Sequence, residues 1–485
     1  MKRIAKSKLI RSLSALPPTE LSRFRDFVHS PFFNKHEPTQ YLADYLLLHQ
    51  SSWGEVTKQE LSSELFPGEP FREALVNNIM SNLTQLLHRF LAQLGLEDED
   101  MEEELALEAA LSREVFPIFR AGLNKARKGL SLADPFDPAT HRKRHRFALL
   151  EHKFLSSLEN QYTVPSITAS ISGLDAWYTH LRLRYGVALK SLRVAHGAKD
   201  TDDWLPILQR YVQERSEGEW GTAVWPLHQQ ALEVLSNMED ESQYRALADL
   251  ITEHESRLQL EDLEQLYKVR LDFCIRRVNA HSPYFQEELF RIYQMFLTTG
   301  TLIQRGQMLQ VNYNNITSVA CNVREYEWAA RFVKDYADKL PAHGRENAYR
   351  YNMANVFFHL KDYDSARSLL LQVDFTNIYY KLKTKFLQVK IYYELGETQL
   401  LESTMDSLRI FMLRARRLSS DLRIGVKHYL QFGKRLSEAS NMTGRQQKSA
   451  VRRLRKDLNA VQAPVLNKAW IEEQLNILLP EEAEA

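Results

Sequence analysis

The stretch YNMANVFFHLKDYDSARSLL, Tyr351 to Leu370, decides how this chain folds. Ala354 and Phe357 lie three apart on one face of a first helix, and Ala366 and Leu370 lie four apart on one face of a second. Between them Lys361 to Asp364 makes a polar corner. An alanine on each helix lets the two backbones approach, so the segment reads as an antiparallel helical hairpin.

The pattern recurs on both sides. Upstream, in REYEWAARFV, the residues Arg324, Glu325, Tyr326, Ala329 and Val333 answer to Lys361, Asp362, Tyr363, Ala366 and Leu370 at an offset of 37. Downstream, in FLQVKIYYELGETQLLESTM, the residues Val389, Tyr392, Leu401 and Met405 stand where the central copy has Ala354, Phe357, Ala366 and Leu370, at an offset of 35. The outer copies depart at the small positions, with Thr317 in the first and Val389 and Leu401 in the third.

A helical hairpin repeated at close to 34 residues resembles the tetratricopeptide-repeat family. The resemblance implies an α-solenoid of stacked antiparallel hairpins, whose first helices line a groove that holds extended peptides. The matching positions here are Asn314 and Ser318, then Tyr351, Asn355 and Phe358, then Phe386, Lys390 and Tyr393. By the same resemblance, Asn355 and Lys390 clamp a peptide backbone or terminal carboxylate while the tyrosines pack its side chains. Ordinary packing is the alternative role for each. Ala329, Ala354 and Ala366 are expected to be packing residues.

A chain of 485 residues is too long for one compact core, which suits an extended stack. It has 17 glycines, with no Asn-Gly, Asp-Gly or Gly-Gly pair to close a tight hairpin and no alternating strand pattern, so the expected fold is all-α. Cys274 and Cys321 are expected to be buried small hydrophobes. The basic N-terminus is interrupted by Lys6, Lys8 and Arg11 and no apolar run reaches about 18 residues, which predicts a cytoplasmic protein with no membrane partner.

Residues 1–96 read as a small N-terminal helical domain. Helices are expected after Pro17-Pro18, from Tyr41 to His49, from Thr57 to Phe66 and from Phe71 to Leu94. The order of the last three is similar to a winged helix-turn-helix, in which Asn77, Asn78, Asn82, Gln85 and His88 would face bases. Arg72 and Arg89 are the only cations in that helix, and acids follow instead of a wing, so a cap on the stack is the competing role.

EDEDMEEE, Glu97 to Glu104, reads as a solvated linker or an acidic helix start, and it opens a helical middle region over 97–219. Within that region HRKRHR, from His141, reads as a solvated basic helix start or an anion contact. His141 and His145 are four apart, but the cations crowding them argue against a metal. Trp177, Tyr178, Tyr185 and Trp204 read as core aromatics. Repeats are expected over 220–412, starting near Trp220, and basic helices closing the stack over 413–485.

Net charge is +1, yet between Arg409 and Lys456 fourteen Lys and Arg face only Asp421 and Glu438. Arg414, Arg416, Arg417, Arg452, Arg453, Arg455 and Lys456 form its two densest runs. They read as a basic outer face, as a contact for phosphates or acidic proteins, or as a mate for the acidic run near Glu97. No phosphate loop, GxGxxG, HExxH or GxSxG occurs, and no catalytic, cofactor or metal residue is assigned.

The expected function is non-enzymatic: a scaffold binding a protein or peptide in the groove of a helical stack. The alternative is a nucleic-acid-binding regulator using the N-terminal helices or the basic C-terminal region. The opening LPPTELSRFRDFVHSPFFNKHEP and the repeats also resemble bacterial helical-repeat proteins without an assigned activity.

Overall fold

Helices make up nearly all of the regular structure. The computed structural model describes residues 3–50, 53–98, 101–134, 136–158, 163–196, 203–215, 224–279, 284–304, 306–414 and 418–480. Among them run α1 (Lys8–Leu13), α2 (Pro18–His29), α3 (Glu37–Leu48), α4 (Lys58–Leu65), α5 (Glu73–Asp98), α6 (Glu102–Ser112), α7 (Phe116–Leu132), α8 (Pro138–Ser157) and α9 (Val164–His196). Then follow α10 (Leu205–Arg215), α11 (Val224–Ser236), α12 (Glu241–His254), α13 (Leu260–Asn279), α14 (Tyr284–Thr298), α15 (Gln310–Asn322), α16 (Tyr326–Asp335), α17 (Arg345–His359) and α18 (Tyr363–Leu370). The last are α19 (Ile378–Glu394), α20 (Thr398–Arg414), α21 (Ser420–Ser440), α22 (Gly444–Ala460) and α23 (Lys468–Leu478). The chain divides into two compact units, Met1–Leu181 and Arg182–Ala485.

One departure from the all-helical expectation is a two-residue hairpin, β1 (Ile303–Gln304) with β2 (Gln307–Met308). Its turn uses Gly306 at φ 76°, a left-handed conformation that glycine adopts at no steric cost.

In the first unit α5 is the spine. Val76, Ile79, Met80, Leu83, Leu86, Leu87 and Phe90 recur at helical spacing, and all are buried against α1 to α4. The start of α4 is fixed as its sequence predicts, by a capping box between Thr57 and Glu60. A second apolar cluster joins α6, α7 and α8 through Leu107, Phe119, Leu123, Phe147 and Leu150.

The acidic run is not simply a solvated linker: its end enters α6 and Glu104 is buried. There it meets the basic segment. Arg146 Nε donates to Glu104 at 2.6 Å, Arg142 to the other carboxylate oxygen at 3.3 Å, and Arg146 also reaches Glu108 at 2.9 Å. The anion that HRKRHR contacts is therefore α6 of the same chain. His145 is likewise engaged, its Nδ1 lying 2.9 Å from the Ser170 carbonyl, and His141 is buried.

The second unit is a helical stack. Neighbours pair as α11 with α12, α13 with α14, α15 with α16, α17 with α18 and α19 with α20; the first helices pack as α11 on α13, α15 on α17 and α17 on α19, while α15 meets the preceding hairpin through α14. The corners after α15, α17 and α19 close identically. Arg324, Lys361 and Gly396 occupy equivalent places and all have positive φ, at 67°, 65° and 70°. The following N–H reaches back five residues: Glu325 to Ala320, Asp362 to Phe357 and Glu397 to Tyr392, at 2.9 to 3.0 Å. The same closure recurs after α6, where Glu114 has φ 57° and Val115 N–H donates to Ala110 at 2.9 Å. That corner has no alanine signature of the kind that marks the central repeat, so sequence reading missed it.

Within the stack Ala329, Ala354 and Ala366 are fully buried. Both cysteines are free and buried, and burial pushes each thiol up to about 12. The aromatic expectation needs correction: Tyr178, Tyr185 and Trp204 are 46%, 59% and 48% exposed, and Trp177 is half-buried. Helical spacing says which residues share a face, but whether another element covers that face is a tertiary matter.

Candidate functional site

The corners set the register of the first helices α15, α17 and α19, and so bring equivalent side chains into rungs. One rung is Ser318, Asn355 and Lys390; the next turn of the same faces gives Asn322, His359 and Glu394. All six line one cavity of about 540 Å3, and Tyr351, Phe358 and Phe386 share the lining. The second rung was not singled out from sequence. Its signal was available, because each member lies four residues beyond a member of the first.

Two predicted positions fall elsewhere. Asn314 is buried in the contact between α15 and α17, where its side-chain carbonyl accepts a 2.6 Å hydrogen bond from Asn352. It joins neighbouring first helices instead of facing the cavity. Tyr393 packs edge-on against Trp470, with ring centroids 5.3 Å apart.

Trp470 belongs to α23, which no repeat argument places at the groove. The helix contributes Trp470, Glu473 and Gln474 to the lining, and Gln474 Nε2 donates to the Glu394 carboxylate at 2.7 Å. Of the apolar residues of this helix, Leu475 goes into the core it shares with α21 and α22, while Ile477 is exposed and joins the lining. On the first-repeat side Tyr326 stacks on His359 at 6.0 Å.

Lys390 is a strongly perturbed charge in the cavity. Its ammonium lies 5.9 Å from the Phe358 ring and 5.8 Å from the Trp470 ring, and makes no ion pair among the described residues. Burial lowers its pKa to about 8, against a smaller opposing pull from Glu473. Burial, then the nearby Lys390 charge, lowers His359 to about 4, so that imidazole is neutral at pH 7. Burial also raises Glu394 and lowers Lys383.

This gives a test through linkage. Lys390 has a folded pKa below its unfolded value, so between about pH 8 and 10.4 the unfolded chain binds more protons and stability rises with pH. Lys390→Met is expected to melt above the wild type at pH 7, with the gap closing as pH climbs from 8 to 10. A gap independent of pH in thermal melts would assign the effect to packing alone. The variant comparison separates Lys390 from Lys383, which titrates in the same direction.

Among the described residues no three His, Cys, Asp or Glu are grouped to hold a metal ion, and no helix is long and apolar enough to cross a membrane. The chain matches no known family model, no curated protein and no solved structure.

Of the basic-patch residues, Arg452, Arg453 and Lys456 are exposed on α22, and Arg414 is exposed at the end of α20. Arg455 is not available to a partner: it donates to the Leu479 carbonyl at 2.7 Å and to Asn476 at 2.9 Å, tying α22 to the end of α23. Arg416 and Arg417 lie outside the described residues. In the N-terminal helices Asn78, Asn82, Gln85 and His88 are exposed, but Lys58 holds Asn77 at 2.8 Å and Arg89 is bonded to the Phe33 carbonyl.

Proposed function

We propose that this chain is a non-enzymatic, tetratricopeptide-like interaction protein that takes an extended peptide of a partner protein into the cavity of its stacked first helices. The observation that carries the reading is the convergence of equivalent residues from three successive hairpins on one cavity, Ser318, Asn355 and Lys390 above all. Convergent amides and a desolvated ammonium suit peptide carbonyls and carboxylates, because each donor lacks the competing water it would meet on an open surface. Tyr351, Phe358, Phe386 and Trp470 supply apolar walls for side chains. Two buried free thiols fit a reducing, cytoplasmic setting, and the opening segment favours a bacterial source.

The test is affinity capture from the native cell with the wild type and the double variant Asn355→Ala, Lys390→Ala. Partners that depend on the cavity are expected to be lost or reduced at least tenfold. An unchanged set of recovered partners from the folded variant would show that this cavity is not the binding site.

A further inference from the structure

The helix α22 buries Val451, Leu454 and Leu458 on one side. At about 100° per residue its opposite side carries Arg445, Lys448, Arg452 and Lys456 in a single stripe, with Arg453 beside it. All five are exposed, and none has a hydrogen-bonded or ionic partner among the described residues. From Arg445 to Lys456 the helix climbs about 16 Å at about 1.5 Å per residue. The adjoining α21 adds Lys427 and Lys434, also exposed and unpaired, on its side away from the core. Of the acids on these two helices, Asp457 is held by Arg435 at 2.7 Å, which leaves Glu438 and Asp421 against seven cations.

We propose that this face of α22, with the flanking lysines of α21, binds the phosphate backbone of a double-stranded nucleic acid without reading its sequence. The surface is wrong for the other polyanions and surfaces a basic helix can serve. A protein interface is anchored by buried aromatic and apolar side chains and is poor in lysine, whereas here Gln446, Ser449 and Asn459 separate the cations. Insertion at a membrane needs a free apolar face, and that of α22 is already packed in the core. Unpaired strands are held by stacking on aromatics, but Tyr429 and Phe432 of α21 are buried and α22 has none. What remains is charge at regular intervals. Over about 16 Å each strand of a duplex presents roughly five phosphates, at about 3.4 Å per phosphate.

The inference is independent of the groove, and its test keeps the two apart. Binding of a labelled mixed-sequence DNA duplex of about 20 base pairs to the full chain is followed by fluorescence anisotropy from about 50 to 200 mM salt. The wild type is expected to bind at low salt with a steep negative slope of log K against log salt. Arg445→Gln, Lys448→Gln, Arg452→Gln and Lys456→Gln together should weaken binding about a hundredfold or more and flatten the slope by about 3 to 4, since each phosphate contact contributes about 0.9. These side chains are exposed, and the circular dichroism of the variant is expected to match that of the wild type. Asn355→Ala with Lys390→Ala should leave duplex binding unchanged.

No binding by the wild type at low salt overturns the proposal. So does an unaltered slope in the quadruple variant, tighter binding of a single strand of the same length, or equal competition by polyglutamate, which would assign the face to an acidic protein.

Discussion

Gly173→Ala is expected to open the packing of α9 on α8, at a cost of about 3 kcal/mol or more. A β-carbon at Gly173 would stand 2.6 Å from the His145 backbone nitrogen, 2.9 Å from its Cα and 3.1 Å from the His141 carbonyl oxygen. These are main-chain atoms of a neighbouring helix, so no side chain can swing aside and the helices must separate. Separation would also lengthen the contact of His145 Nδ1 with the Ser170 carbonyl and the Ser170 hydroxyl bond to the His145 carbonyl, now 2.9 and 3.3 Å. Hydrogen exchange resolved along α8 and α9 should show faster opening in the variant than in wild type. Gly129 makes a control, because no atom lies within 4 Å of a β-carbon there; Gly129→Ala, inside α7, should be neutral or stabilising.

Glu288→Ala is expected to cost about 3 to 5 kcal/mol in the α13–α14 hairpin. The Glu288 carboxylate accepts from Arg270 at 2.8 Å, from the Tyr244 hydroxyl at 3.1 Å and from Arg291 at 3.2 Å. Arg270 is only 8% exposed and stacks near the Tyr244 and Tyr267 rings, so it cannot turn out to water when its counter-charge goes. Removing the acid strands a buried guanidinium, a larger penalty than the net worth of the pair. Glu288→Leu with Arg270→Met should therefore lose less than Glu288→Ala alone, measured as protection of α13 and α14 amides. A double variant no better than the single one would mean that the carboxylate acts chiefly through Tyr244 and Arg291.

Much of the fold is legible in local chemistry. The period of 35 to 37 residues, the alanines at helix crossings and the polar corners place three hairpins, because each property is set by residues within one turn or one repeat. The capping box at Thr57 and Glu60 is of the same kind. So is the first rung of the cavity, Ser318, Asn355 and Lys390, read by carrying one position of a helical face across the repeat offsets of 37 and 35.

What the sequence determined by itself, then, is helix type, repeat period and which side chains share a face. Tertiary structure alone decided what each face meets. It buried Asn314 between two first helices, brought Trp470 from α23 to the wall of the cavity, and set Glu104 against Arg142 and Arg146. It left Tyr185 and Trp204 exposed, and sorted Arg455, bound to carbonyls, from Arg452, left free. The physical reason is that periodicity is a property of one helix, whereas burial, ion pairing and desolvation depend on partners dozens of residues away. The shifted pKa of Lys390 is the clearest case: a lysine in a sequence is a cation, and only the walls around it make it a poorly solvated one.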